Sequence, residues 1–189
     1  MFLKIKLLFF FIFLISCQPV EFIDLPQIDN SRFEKISINA KQIEINVNYN
    51  SVFSEENIED QIKNPPLDLL SRWASQNIQL FGNENKLKIN ILDASIVKKE
   101  IENVNAKKYE EKTIFKYSIF FLVEYNLYND DNFLIANSTV ESSRYTTSQK
   151  YISLNEREII INDLLFNSLN DFSKESKSTL KVYMGEFIQ

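Results

Sequence analysis

The sequence predicts an α+β chain: a two-layer α/β sandwich whose mostly antiparallel four-stranded sheet carries two helices on one face, in the order β-α-β-β-β-α. Three observations predict it. Apolar and polar residues alternate strictly from Gln42 to Tyr49, and within the sixteen residues from Thr113 to Tyr128 every second residue from Phe115 to Leu127 is apolar or aromatic. Two stretches, one after Pro65-Pro66 and one after Ser153, instead repeat their apolar residues at helical spacing. Period two marks a half-buried strand, and period 3.6 marks a helix with one face on a core.

In the first strand, Ile43, Ile45, Val47 and Tyr49 alternate with Gln42, Glu44, Asn46 and Asn48, which predicts one buried and one wet face. Upstream, Ile36, Ile38 and Ala40 take the opposite phase, so a bulge or bend near Lys41 is expected. A polar connector, SVFSEENIEDQIK, leads to Asn64-Pro65. There Asn64 suits an N-cap and Pro65 the first helical position. The helix that follows has Leu67, Leu70, Ala74, Ile78 and Phe81 as its stripe with Trp73 beside it, and Gly82 is read as the residue that stops it.

The second strand spans about Lys86 to Lys98. Leu87, Ile89 and Ile91 change parity to Leu92, Ala94 and Ile96, which predicts a bulge near Ile91–Asp93. A charged, aperiodic segment from Lys98 to Lys112 reads as an exposed hairpin end. In the third strand, Phe115, Tyr117, Ile119, Phe121, Val123, Tyr125 and Leu127 form one apolar face, while the other is mixed. Asn129-Asp130-Asp131-Asn132 has turn chemistry, because Asn and Asp tolerate the left-handed backbone region. The fourth strand, FLIANSTVESSRYTT, returns as a hairpin. Ser153 and Glu156 then make a capping box for a helix with Ile161, Leu164, Leu165, Ser168, Leu169 and Phe172 as its stripe. That helix extends to about Tyr183, with Gly185 beyond it.

The N-terminus is organised differently. Lys4 and Lys6 precede nine unbroken apolar residues, Leu7 to Ile15. A bilayer span needs about 20 apolar residues, whereas the hydrophobic region of a secretory signal runs roughly 7–15. No small-residue cleavage site follows; Leu14-Ile15-Ser16-Cys17 stands in its place. This resembles the bacterial lipobox, and the resemblance implies a signal peptide over 1–16, cleavage before Cys17, and a diacylglycerol and a further acyl chain (palmitate-type lipidation) on Cys17. Each buried methylene contributes about 0.8 kcal/mol, so three chains make a permanent anchor. Gln18, rather than Asp, after the cysteine leans toward the outer membrane over the inner one in that sorting system. Residues 17–32, with two prolines and no clear period, read as a lipidated tether, and 33–189 as a single α/β sandwich domain.

Composition narrows function. The formal charge is −5, and becomes two units more negative once Lys4 and Lys6 are removed. A basic nucleic-acid footprint is therefore not expected. The only cysteine is Cys17, so no disulfide can form within the chain. There is no histidine, which removes the commonest general base and metal ligand. The two glycines, Gly82 and Gly185, are far apart, so no phosphate-cradling loop exists. We expect a non-enzymatic protein with no cofactor, no metal and no catalytic residue. Asp130-Asp131 is read as a turn rather than a calcium loop, since the glycine and terminal glutamate of such a loop are missing. Glu55-Glu56 and Glu110-Glu111 are read as solvated charge, and Asp93 as a bulge residue bonded to backbone. The aromatic stripe from Phe115 to Tyr125 is read as core, with an acyl-chain pocket as its alternative.

The stretch from Ile114 to Phe172 resembles the lipopolysaccharide-assembly lipoprotein E family. The counterparts are the long strand Tyr117 to Leu127, the Asn129–Asn132 turn, Arg144-Tyr145, and a helix opening with Glu156-Arg157-Glu158. The upstream strand–helix–strand order agrees, whereas PPLDLLSRW has no match and basic residues are few. The resemblance implies a periplasm-facing outer-membrane lipoprotein that supports a β-barrel translocon and touches lipopolysaccharide. The alternatives are an auxiliary lipoprotein of an ABC-type or paraquat-inducible lipid transport system, and a free-standing periplasmic lipid carrier. Expected partners are thus the membrane, through the lipid, and a β-barrel or transporter protein, with lipid or lipopolysaccharide as a further candidate. The ligand-binding residues are not legible.

Overall fold

In a computed structural model, residues 28–52 and 54–189 are described. The fold is the expected α+β sandwich. Its strands are β1 (Ile36–Ile38), β2 (Gln42–Val47), β3 (Ile78–Leu80), β4 (Lys86–Glu102), β5 (Thr113–Tyr128) and β6 (Leu134–Gln149). Its helices are α1 (Pro66–Asn77) and α2 (Leu154–Tyr183). The main sheet has the order β2-β4-β5-β6, with β2 parallel to β4 and the other pairs antiparallel. A parallel connection needs a crossover, and α1 lies within it.

The opposite phases at 36–40 and 42–49 are not a bulge in one strand. Two strands in two different sheets account for them. β1 pairs in parallel with β3 in a small second sheet, and Ile38 also bridges to Ile188 near the chain end. The switch occurs at Asn39–Lys41, where the Lys41 amide donates to the Glu84 and Asn85 carbonyls.

The first helix differs from expectation at both ends. It starts at Pro66, with Pro65 as its cap residue and no side-chain cap hydrogen bond. It stops at Asn77, because Ile78 is extended and joins β3. Its buried face is Leu69, Leu70, Trp73, Ala74 and Asn77, so Trp73 is central rather than lateral. Ile78 is buried in the small sheet, and Phe81 is exposed. Gly82 therefore does not terminate the helix, and it has no positive φ. It is required by proximity: a Cβ there would lie 2.8 Å from the Ala40 nitrogen and 2.0 Å from Asn39 Oδ1.

The other elements follow the sequence closely. The bulge in β4 falls where the parity changes, with Leu92 as the extra residue between Ile91 and Asp93. In β5 Tyr117, Ile119, Phe121, Val123, Tyr125 and Leu127 are all buried. The Asn129–Asn132 segment turns with Asn132 at φ 61°. Both hydrogen bonds of the Ser153–Glu156 capping box are present. β2 is the exception. Ile43 and Val47 remain exposed and only Ile45 packs on the core, because β2 is an edge strand that α1 touches only lightly while the helices lie mainly over β4, β5 and β6. β4 is also far longer than β2. The connector continues along its edge, where Ile58 and Lys98 amides donate to Ile96 and Glu56 carbonyls, respectively.

An aromatic cluster centres the core. The Phe172 ring of α2 meets Trp73 of α1 at 5.2 Å and Phe121 of β5 at 5.6 Å, both edge to face. Phe172→Ala removes both contacts at once and should cost about 3–5 kcal/mol in urea unfolding. A loss below about 1 kcal/mol would mean that the two layers do not depend on this contact.

Candidate functional site

Cys17, the one residue to which the sequence assigns a covalent role, lies outside the described residues, as do the signal segment and most of the tether. The last tether residues are described, and they pack. Ile28 and Asn30 are buried, and Asn77 at the end of α1 donates its side-chain amide to the Asn30 and Phe33 carbonyls at 3.1 and 3.0 Å. Phe33 in turn lies 5.7 Å from Phe166 of α2. The chain is thus already fixed to the domain five residues before Phe33.

The aromatic stripe of β5 is filled core. Tyr117, Ile119 and Phe121 are at most 1% exposed, and Phe172 occupies the space above Phe121. The Tyr125 hydroxyl lies 3.4 Å from Ser176 Oγ within the core, and burial pushes its pKa up. A small concavity of about 70 Å³ lies where Ile62 and Asn64 of the connector meet Leu154, Arg157 and Ile161 of α2, below the roughly 300 Å³ at which ligand pockets begin; a larger open cleft of about 720 Å³ lies between Ile135 and Ala136 of β6 and Val182 and Tyr183 of α2.

The carboxylates flagged in the sequence do not converge. Asp93 Oδ1 accepts the Ser95 amide at 2.9 Å, beside the bulge. Asp130 accepts Lys41 Nζ at 2.6 Å and the Asn85 amide at 3.3 Å, so it ties the β5–β6 turn to the sheet switch. The hydrogen bond from the Lys41 ammonium holds its pKa below the ordinary value. No group of three acidic, histidine or cysteine side chains that could hold a metal ion occurs among the described residues. The residues that carry the family resemblance serve the fold. Arg144 bonds Asp171 of α2 at 2.5 Å, Tyr145 lies under the Lys116 ammonium at 4.3 Å, and Glu156 completes the helix cap.

Two features escaped the sequence reading. The outer face of the sheet carries a row of amides around one carboxylate. Asn46 donates to Asn90 Oδ1 at 3.1 Å, and Asn90 and Asn126 each donate to Glu124 Oε2 at 2.7 Å. Asn46, Asn90 and Glu124 stand in register across three strands, which only the pairing reveals; Glu124 on the mixed face of β5 was the available signal. Through these hydrogen bonds the row joins β2, β4 and β5. The second feature is an apolar end, where Phe133, Leu134 and Ile135 stand exposed near exposed Val182 and Tyr183. In sequence these residues read as the start of a strand and the end of a helix.

No family model matches the chain, and no curated protein matches it. Among solved structures, it is similar to a minor lipoprotein from Acinetobacter baumannii. The likeness covers 79% of this chain and 96% of that one, at 10% identity and a TM-score of 0.41. A likeness of that size carries no argument about this chain's function.

Two outcomes follow from this geometry. Glu124→Ala strands two half-buried amides and should destabilise the domain by about 1–3 kcal/mol, whereas Glu124→Gln, which keeps an acceptor, should cost less. Equal losses, measured by urea unfolding, would show that the row does not act through its hydrogen bonds. The Asp130 pKa is depressed in the folded state, so its contribution is present above the ordinary aspartate range of about 3.9 and is lost as pH falls through the lower folded value. The stability gap between wild type and Asp130→Asn should therefore close on acidification; a gap constant with pH would refute the ion pair as its source.

Proposed function

We propose that this chain is a lipid-anchored, non-enzymatic envelope protein, held at the periplasmic side of the outer membrane by lipid on Cys17, where it supports a β-barrel assembly or transport machine. The observation that carries the reading is Leu14-Ile15-Ser16-Cys17 placed at the end of the nine-residue apolar run Leu7 to Ile15. Two further points support it. The chain has no histidine and no second cysteine, and the carboxylates considered above are engaged in turns, bulges and strand pairing rather than gathered at a cleft. No helix among the described residues is long and apolar enough to cross a membrane; in this reading the lipid on Cys17 is the attachment.

The free lipid carrier is the less supported alternative, because the face that would bind an acyl chain is covered by α2. Cys17→Ala should abolish palmitate labelling and release the protein from the membrane fraction or leave the precursor uncleaved; unchanged labelling and processing would refute the anchor. Affinity purification from detergent-solubilised outer membrane should recover a large β-barrel. Recovery of an inner-membrane ATPase in its place would assign the chain to a lipid transport system instead.

A further inference from the structure

β6 is the long outer strand of the main sheet, and the pairing fixes which of its backbone groups face outward. Along β4 the connector takes the Ile96 carbonyl and the Lys98 amide. Even-numbered residues there face the connector, and odd-numbered ones face β5. Val97 pairs with Ser118, and Tyr117 with Thr146, which carries the parity across the sheet. Even-numbered residues of β6 therefore bond β5, while Asn137, Thr139, Glu141, Ser143, Tyr145 and Thr147 turn their amides and carbonyls outward. β6 pairs with β5 alone, and among the described residues no hydrogen bond reaches these outward groups. Natural sheets blunt a long edge with lysine, proline, a bulge or a covering element. From Ile135 to Gln149 there is no lysine and no proline, and the register shift against β5 sits at the start of the strand.

α2 packs on the inner face of β6, where Ser138 and Val140 are buried, and leaves an open cleft at each end of the free run. One, of about 190 Å³, lies between Tyr145 and Thr146 of β6 and Ile160, Asp163 and Leu164 of α2. The other is the cleft of about 720 Å³ beside Ile135 and Val182. Ala136 and Tyr145 are about 30 Å apart along the strand. A free backbone edge with side-chain clefts beside it is what an added strand needs: main-chain hydrogen bonds hold it, and the clefts select its side chains. The charge along the edge is acidic. Glu141, Asp163 and Glu186 are exposed and in no ion pair among the described residues, whereas Arg144 is held by Asp171 and Lys116 lies over the Tyr145 ring. Lys181 stands at the far end. A second copy of the chain suits this edge poorly. In a two-fold antiparallel pair, opposite residues share a face, so Glu141 would meet odd-numbered residues of the copy, none of them a cation. The formal charge of −5 on each copy adds repulsion.

We propose that the outward edge of β6 receives an extended segment of a partner protein as a further strand. Its apolar side chains sit in the two clefts, and its basic side chains face Glu141 and Asp163. The inference does not depend on lipid at Cys17, and its failure leaves the anchored reading untouched. The probe is a phage-displayed library of random peptides of about ten residues, the length that spans both clefts, selected on the full chain in detergent micelles. Synthetic copies of the selected peptides should alternate apolar residues with Lys or Arg. On binding, the amides of Thr139, Glu141, Ser143 and Tyr145 should gain about tenfold or more protection from hydrogen exchange, while those of Val140 and Ser142, already paired, change little. Ser143→Pro removes an outward amide without touching the β5 ladder, and should weaken binding about tenfold. Glu141→Lys, which leaves the backbone intact, should weaken it about threefold. If Ser143→Pro does not fold, peptides N-methylated at alternate residues put the same question from the ligand side, and the methylation that blocks the edge-facing amides should abolish binding. The proposal is overturned by a library that yields no binder, or by peptides that bind the variants as tightly as wild type or protect none of these amides. It is also overturned if the chain sediments as a dimer that Ser143→Pro or Glu141→Lys dissociates, because the occupant is then a second copy.

Discussion

Phe172 touches the two elements that most need to be held together. Among the described residues α2 is the long helix that covers β5 and β6, and α1 is the short crossover that covers β4. With the Phe172 ring edge-on to both Trp73 and Phe121, the position of each helix depends on the other. Close packing makes such a junction sensitive to volume in every direction. The chain has no cysteine beyond Cys17, so packing of this kind must do what disulfides do in many exported domains.

The second constraint is the switch between sheets. Within three residues, Asn39–Lys41, the chain leaves the small sheet and enters the large one. Ala40 is fully buried there, and Gly82 presses against it so closely that no side chain fits. Lys41 then reaches across to Asp130, and the Asn85 amide joins the same carboxylate. Three loops distant in sequence are thereby locked into one rigid corner. Asp130, read in the sequence as part of a turn, is the latch of that corner.

What could be read in the sequence was whatever a single period expresses. The β4 bulge, the buried face of β5, the Asn132 turn and the Ser153 cap all follow from local spacing and local chemistry. What could not be read depended on contacts made elsewhere. The phase change at Lys41 looks the same whether a strand bulges or changes sheet, and only the pairing of Ile36 with Ile78 decides. Ile78 and Phe81 continue the helical spacing of α1, yet the pull of β1 makes Ile78 extended. Likewise β2 alternates like a buried strand, but as an edge strand it leaves Ile43 and Val47 exposed. The candidate site was legible only at Cys17, whose signal is local. The amide row and the apolar end are products of register.

The long β4–β5–β6 meander also has a mechanical meaning. Sixteen residues of strand at about 3.3 Å each make a beam roughly 50 Å long, with the 30-residue α2 bolted along one side. Its two tips, the Asn129–Asn132 turn and the Asn103–Lys112 hairpin, are too far apart to touch the same small object, yet they cannot move independently. A force or tilt imposed at one tip is delivered at the other as a lever would deliver it. Such a body is long and filled, with its core side chains packed along the strands between the two tips.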